Sequence, residues 1–220
     1  MLSRDSQACG MVNRKNYANT DGILVKLRAE NEEQADREYS RLDEICHEWE
    51  TRTRMNLEFE EFSEVIQRDV NNYIIVAPDG HYKSKGAVVK KLSELDYDLP
   101  IINKAVVAKL IHGIPVEKTI GDCNDLIEFQ KIVKVSKLYK FATHNGERLT
   151  EKTFRVFASK RDTDTKICKC KREGATEEKF ANTPDRCFID NSEVIGRSIP
   201  EYLDKQWYIN EANKRAEAFL

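Results

Sequence analysis

The chain has 220 residues, of which 40% are hydrophobic and 34% charged, and its formal net charge is −2. That length excludes a peptide or a disulfide-stapled miniprotein, and 9 Phe, 8 Tyr and 2 Trp supply enough packing anchors to exclude a chain disordered throughout. No stretch approaches the roughly 18 consecutive apolar residues of a membrane span, and the opening run from Met1 to Gln7 lacks the apolar core of a signal peptide. A soluble cytoplasmic protein with no membrane partner is therefore expected.

Ile23, Val25 and Leu27 alternate behind the polar run Asn19-Thr20-Asp21-Gly22, which predicts a strand, a tight turn and a returning strand over 17–27. From Glu32 to about Arg54, Ala35, Tyr39, Leu42, Cys46 and Trp49 recur at steps of three and four with acids in the first turns, the pattern of an amphipathic helix lying across a sheet. Leu57 to Phe62 and Glu64 to Val76 read as strands, followed by the turn Ala77-Pro78-Asp79-Gly80 and a short strand between His81 and Lys91. The character changes at Asp96-Tyr97-Asp98-Leu99-Pro100, a junction between subdomains. Beyond it, Ile101 to His112 reads as a helix stopped by Gly113, and Asn124 to about Val133 as a second helix after Pro115. Phe154 to Phe157 and Cys187 to Ile189 read as strands, and Pro200 to Leu220 as a C-terminal helix or pair of turns.

The small net charge hides an asymmetry. Between Arg28 and Glu61 there are twelve acidic and five basic residues, a balance of −7; between Lys131 and Arg172 there are thirteen basic and four acidic, a balance of +9. The basic segment interleaves Tyr139, Phe141, Phe154 and Phe157 with its cations, as a surface facing a polyanion would, although a solvated face that serves only solubility has the same composition. The six cysteines are expected to be free thiols. Only Cys168, Cys170 and Cys187 cluster, and their Cys-x-Cys step differs from the Cys-x2-Cys of zinc ribbons. They read as strand cysteines; a zinc module would need His144 as its fourth ligand.

Two features carry possible chemistry. Asp21 sits at the tip of the predicted hairpin, where a carboxylate is rigidly presented to a metal, while Asp before Gly is also ordinary turn chemistry. Lys83 and Lys85 stand two apart, so on a strand both project from one face and can reach phosphates of a duplex. Such a pair also guards an edge strand against aggregation.

The order of these features resembles the C-terminal part of a family B DNA polymerase of the bacteriophage type. Asn19-Thr20-Asp21-Gly22-Ile23 is similar to the family's motif C, usually Asp-Thr-Asp-Ser, with Asp21 at the metal-binding second aspartate, Asn19 replacing the first and Gly22 the serine. Arg68-Asp69-Val70-Asn71-Asn72-Tyr73-Ile74 resembles a palm strand. Tyr82-Lys83-Ser84-Lys85-Gly86 resembles the lysine motif that holds the primer-template duplex, with Lys85 at its key lysine. Asn182-Thr183-Pro184 through Ile189, together with Leu203 to Ile209, is similar to the end of phage polymerase thumbs.

The resemblance implies an α+β fold, with a partial palm over residues 1–98, an antiparallel sheet with one long helix, followed by a mixed, mainly helical thumb with a few strands over 99–220. It implies Asp21 as catalytic metal ligand and Tyr82, Lys83, Lys85 and Arg155 as DNA contacts. The cofactor would be Mg2+ in a two-metal site, whose ions, about 4 Å apart, activate the primer hydroxyl and neutralise the triphosphate. Motif A and motif B are missing from the sequence, so a partner chain would supply them, the other partners being primer-template DNA and dNTP. The chain then reads as a subunit of a split enzyme or a fragmentary gene product, in the host cytoplasm if viral. The alternative is a non-catalytic basic DNA-binding or accessory protein that retains the palm and thumb fold.

Overall fold

A computed structural model describes residues 2–3, 17–19, 22–27, 29–69, 71–86 and 98–219. The fold is α+β, with four α-helices and several sheets among the described residues, and divides into two compact units, Met1–Lys91 and Leu92–Leu220.

In the first unit, β1 (Leu2–Ser3), β2 (Tyr17–Asn19), β3 (Gly22–Lys26) and β4 (Glu61–Phe62) form one sheet in the order β2-β3-β1-β4. β2 and β3 are the expected antiparallel pair, with Asn19 opposite Gly22. The sheet itself is mixed where an antiparallel one was expected, because β1 runs parallel to both β3 and β4. The cause is α1 (Glu32–Thr53), a long crossover that returns the chain to the same end of the sheet before β4 begins. Asn31 caps α1 by accepting from the Gln34 N–H at 2.9 Å, and Glu32 and Glu33 face the positive end of its dipole. The predicted stripe is the covered one: Ala35 is buried, and Tyr39, Leu42, Cys46 and Trp49 are half-buried. Tyr39 donates its hydroxyl to Glu61 of β4. Of the predicted strand at 57–62 only Glu61–Phe62 pairs; Leu57 to Glu60 have no regular structure.

A second sheet is the antiparallel meander β5 (Glu64–Asp69), β6 (Asn72–Val76) and β7 (Tyr82–Lys85). The run read as one stretch from Glu64 to Val76 is thus a hairpin. Asp69 makes its turn, accepting from the Asn71 N–H and the Asn72 amide, each at 2.9 Å, and these donors hold its carboxyl below the usual range. Ile74, Ile75 and Val76 are the buried centre of this sheet.

In the second unit, α2 (Pro100–His112), α3 (Val116–Asp122) and α4 (Lys205–Glu217) pack on one another. Pro100 opens α2, and Gly113, at φ 65°, closes it by donating its N–H to the carbonyl of Lys109 at 3.0 Å. The second helix expected over 124–133 is a single 3-10 turn, Leu126–Phe129, followed by a strand, β8 (Lys131–Lys134). Val133 and Val135 are buried while Lys134 between them is exposed, so a two-residue period prevails over the helical one.

This unit carries more sheet than the few strands expected. β9 (Phe141–His144), β10 (Glu147–Leu149), β12 (Cys168–Cys170) and β13 (Glu178–Lys179) form an antiparallel sheet in the order β10-β9-β12-β13. β8, β11 (Thr153–Ala158) and β14 (Cys187–Ile189) form another, ordered β14-β11-β8. Residues from both sheets, among them Val133, Ala142, Phe154, Val156 and Cys187, share one apolar core.

Candidate nucleic-acid interface

Asp21 lies outside the described residues. Its flanks do not: with Asn19 paired to Gly22, residues 20 and 21 are the whole connection between β2 and β3.

The lysine motif is described in full. β7 pairs with β6 through Lys83 opposite Ile75 and Lys85 opposite Tyr73, and the two exposed lysines share a face. Tyr82, 38% exposed, and Ser84 point to the other side, so Tyr82 does not join the lysine face. Lys83 pairs through Nζ with Glu60 Oε1 at 3.1 Å, both largely solvated, a contact worth ~0–1 kcal/mol. Lys85 has no acidic partner among the described residues. The motif ends in Gly86 for a steric reason: at φ +128° a Cβ there would stand 2.7 Å from the Asn71 carbonyl and collide with the Asn72 side chain.

Arg155, on β11, is committed within the protein. Its Nε donates to Gln130 Oε1 at 2.9 Å and its Nη1 to the Ser192 carbonyl. The +9 segment is also partly neutralised by acids outside the window in which it was counted. Lys131, 8% exposed, pairs with Asp98; Lys169 pairs with Glu178 at 2.9 Å and Arg148 with Glu173 at 3.0 Å. Phe141, Phe154 and Phe157 are buried, and Tyr139 donates to Glu178 under the Lys169 ammonium, so these rings pack the core and its margin and are not open platforms for bases. Lys134, Lys137, Lys140, Lys160, Lys166, Lys171 and Arg172 are exposed and among the cations left for a polyanion.

The clustered cysteines, expected as strand cysteines, lie on two strands, Cys168 and Cys170 on β12 and Cys187 on β14. Cys168, Cys170 and Cys187 are all buried, and among the described residues no three His, Cys, Asp or Glu side chains stand together to hold a metal. His144 does return to this region, but its Nε2 lies 2.8 Å from the Cys187 carbonyl oxygen, and the Cys187 thiol donates to the Thr165 carbonyl. Burial pushes the Cys187 thiol up to about 12 from an ordinary 9.0. The folded chain therefore keeps a proton that the unfolded chain releases, and the stability this group supports is complete below pH 9.0 and lost as pH rises toward about 12. Cys187→Ala is expected to flatten the alkaline fall of the urea midpoint across that window; an unchanged slope would show that the thiol has no part in it.

A cleft of about 420 Å3 in the second unit, lined in part by His144, Asn145, Glu151, Arg161 and Asp164, escaped the sequence reading. Asp164 is 5% exposed, and its Oδ2 accepts from both Ser159 Oγ and Arg161 Nε. Its partners lie three and five residues away in a loop, a spacing with no motif to mark it.

Among the described residues no helix is long and apolar enough to cross a membrane. No protein-family model, curated protein or solved structure matches this chain.

Proposed function

We propose that the chain contributes the C-terminal palm and thumb portions of a family B DNA polymerase. In this role it grips the primer-template duplex and places one carboxylate, Asp21, at a Mg2+ site completed by residues outside this sequence. The carrying observation is the ordered series from the β2–β3 hairpin, with Asp21 in its connection, to the exposed Lys83 and Lys85 face ended by Gly86. The metal pair would supply charge neutralisation of the triphosphate and an activated primer hydroxyl. This chain's own share is one carboxylate and sequence-blind phosphate contacts, which suit an enzyme that copies any template.

Lys85→Ala tests the duplex contact. Affinity for a primed duplex at low salt is expected to fall about fivefold whatever the sequence, and the slope of log affinity against log salt to drop by about one. Lys83→Ala should cost less, because that ammonium is already shared with Glu60. Affinity unchanged in Lys85→Ala would remove the phosphate role.

A second reading, a DNA-binding accessory protein with no catalytic share, is favoured by Asn19 and Gly22, which stand where motif C carries its first aspartate and its serine. Duplex binding without primer extension in the presence of a chain bearing motifs A and B would select it.

A further inference from the structure

We infer that Asn145-Gly146 is a modification site, a spontaneous deamidation site that the fold keeps latent with Thr165 as its latch. It is the chain's one Asn-Gly step, and both residues are exposed. The chemistry needs only water. The main-chain nitrogen of Gly146 attacks Cγ of Asn145; a C–N bond forms there, and the side-chain nitrogen leaves as ammonia, taking the Gly146 amide proton. Water then adds across either C–N bond of the cyclic imide and leaves aspartate or isoaspartate, with nothing oxidised or reduced. Glycine favours the first step because no Cβ shields its nitrogen.

The folded geometry opposes that step twice. His144 pairs with Glu147, so Asn145 and Gly146 are the whole loop between β9 and β10, and their φ of 53° and 77° make it a type I′ turn. Such a turn gives its first loop residue a ψ of about +30°. Closing a five-membered ring needs the Gly146 nitrogen on the Cβ side of the Asn145 Cα–C bond, and that ψ turns it almost opposite. Thr165 fixes the side chain as well. Asn145 Oδ1 accepts from the Thr165 N–H at 2.8 Å and from its Oγ1 at 3.0 Å, and the Asn145 N–H donates to Oγ1 at 3.0 Å. The latch is itself anchored, since the Thr165 carbonyl accepts from the Cys187 N–H at 3.2 Å. Release therefore requires β10 to lift. It is a three-residue strand at the edge of its sheet, and Glu147 and Arg148 are exposed, so its opening belongs to the low end of the stability range. Isoaspartate would add one main-chain atom to a two-residue loop and break the pairing of His144 with Glu147, and either product sets a new carboxylate beside His144 and Arg161 on the cleft. None of this depends on the polymerase reading.

The test incubates the full chain in mildly alkaline buffer and follows residue 145 by peptide mapping and mass spectrometry. The folded chain is expected to convert Asn145 at least tenfold more slowly than the same chain unfolded in urea. Thr165→Val keeps the shape and loses the hydroxyl, and should convert at least fivefold faster than the parent; Thr165→Ser, which keeps the hydroxyl, should stay close to the parent. Amide hydrogen exchange in Thr165→Val should quicken in β10 and not in β11, which separates a hairpin that lifts from a unit that unfolds. A parent that converts at the unfolded rate, or an unfolded chain that does not convert, would overturn the inference. So would Thr165→Val converting at the parent's rate, which would leave the protection to the turn alone, or exchange that quickens equally in β11.

Discussion

Asp21→Asn is expected to abolish primer extension by this chain mixed with a chain carrying motifs A and B, Mg2+, dNTP and primed template. A metal-ligating carboxylate supplies several kcal/mol of transition-state charge stabilisation, so about 4 kcal/mol lost corresponds to a rate lower by on the order of 10^3. The substitution separates the two roles open to Asp21. If the residue only shapes the connection between β2 and β3, Asn does the same work, since its amide oxygen accepts the same backbone N–H groups and it favours the same turns. Only the ligand role needs the negative charge. Extension that survives in Asp21→Asn therefore defeats the catalytic assignment, and a thermal midpoint equal to the parent's shows that a loss of extension is not a loss of fold.

What the residues disclosed in advance followed local chemistry. The α1 stripe from Ala35 to Trp49, the stop of α2 at Gly113 and the β2–β3 pairing around Asn19 and Gly22 each rest on a signal within a few residues. The misses have two causes. Some were local signals passed over: Asn145-Gly146, with φ 53° and 77°, is a two-residue hairpin dipeptide joining β9 to β10, and it pointed to a β-rich second unit. Others were not local at all. Lys131 meets Asp98 and Arg155 meets Gln130 across 33 and 25 positions, so a charge count over a window credits cations to solvent that the fold spends on itself. Parallel pairing of β1 with β3 and β4 is likewise invisible to periodicity, which fixes which face of a strand is covered and says nothing of its neighbours.

Tyr208→Phe is expected to destabilise the protein by about 2–4 kcal/mol, far more than the removal of one oxygen costs at a surface. The ring of Tyr208 is fully buried on α4, edge-on to Phe129 with centroids 5.0 Å apart. Its hydroxyl donates to the Phe129 carbonyl at 2.7 Å and accepts from the Ala158 N–H at 3.0 Å. One atom thus joins α4, the end of the 3-10 turn and the end of β11, elements 79 and 50 positions away in the chain. Phenylalanine keeps the shape, so no cavity opens; what it leaves is a buried carbonyl and a buried N–H without partners, each costing ~1–3 kcal/mol. The neighbouring bonds cannot take over: the Ala158 carbonyl is held by the Asp204 N–H at 3.0 Å, and the adjacent Gln130 carbonyl by the Leu99 N–H at 2.9 Å. Urea unfolding should show a lower midpoint with an unchanged slope, the mark of lost stability without a change in surface exposed. A change below ~0.5 kcal/mol, within the range of ordinary surface substitutions, would mean that the two backbone groups find other partners and that the hydroxyl is not the joint of this unit.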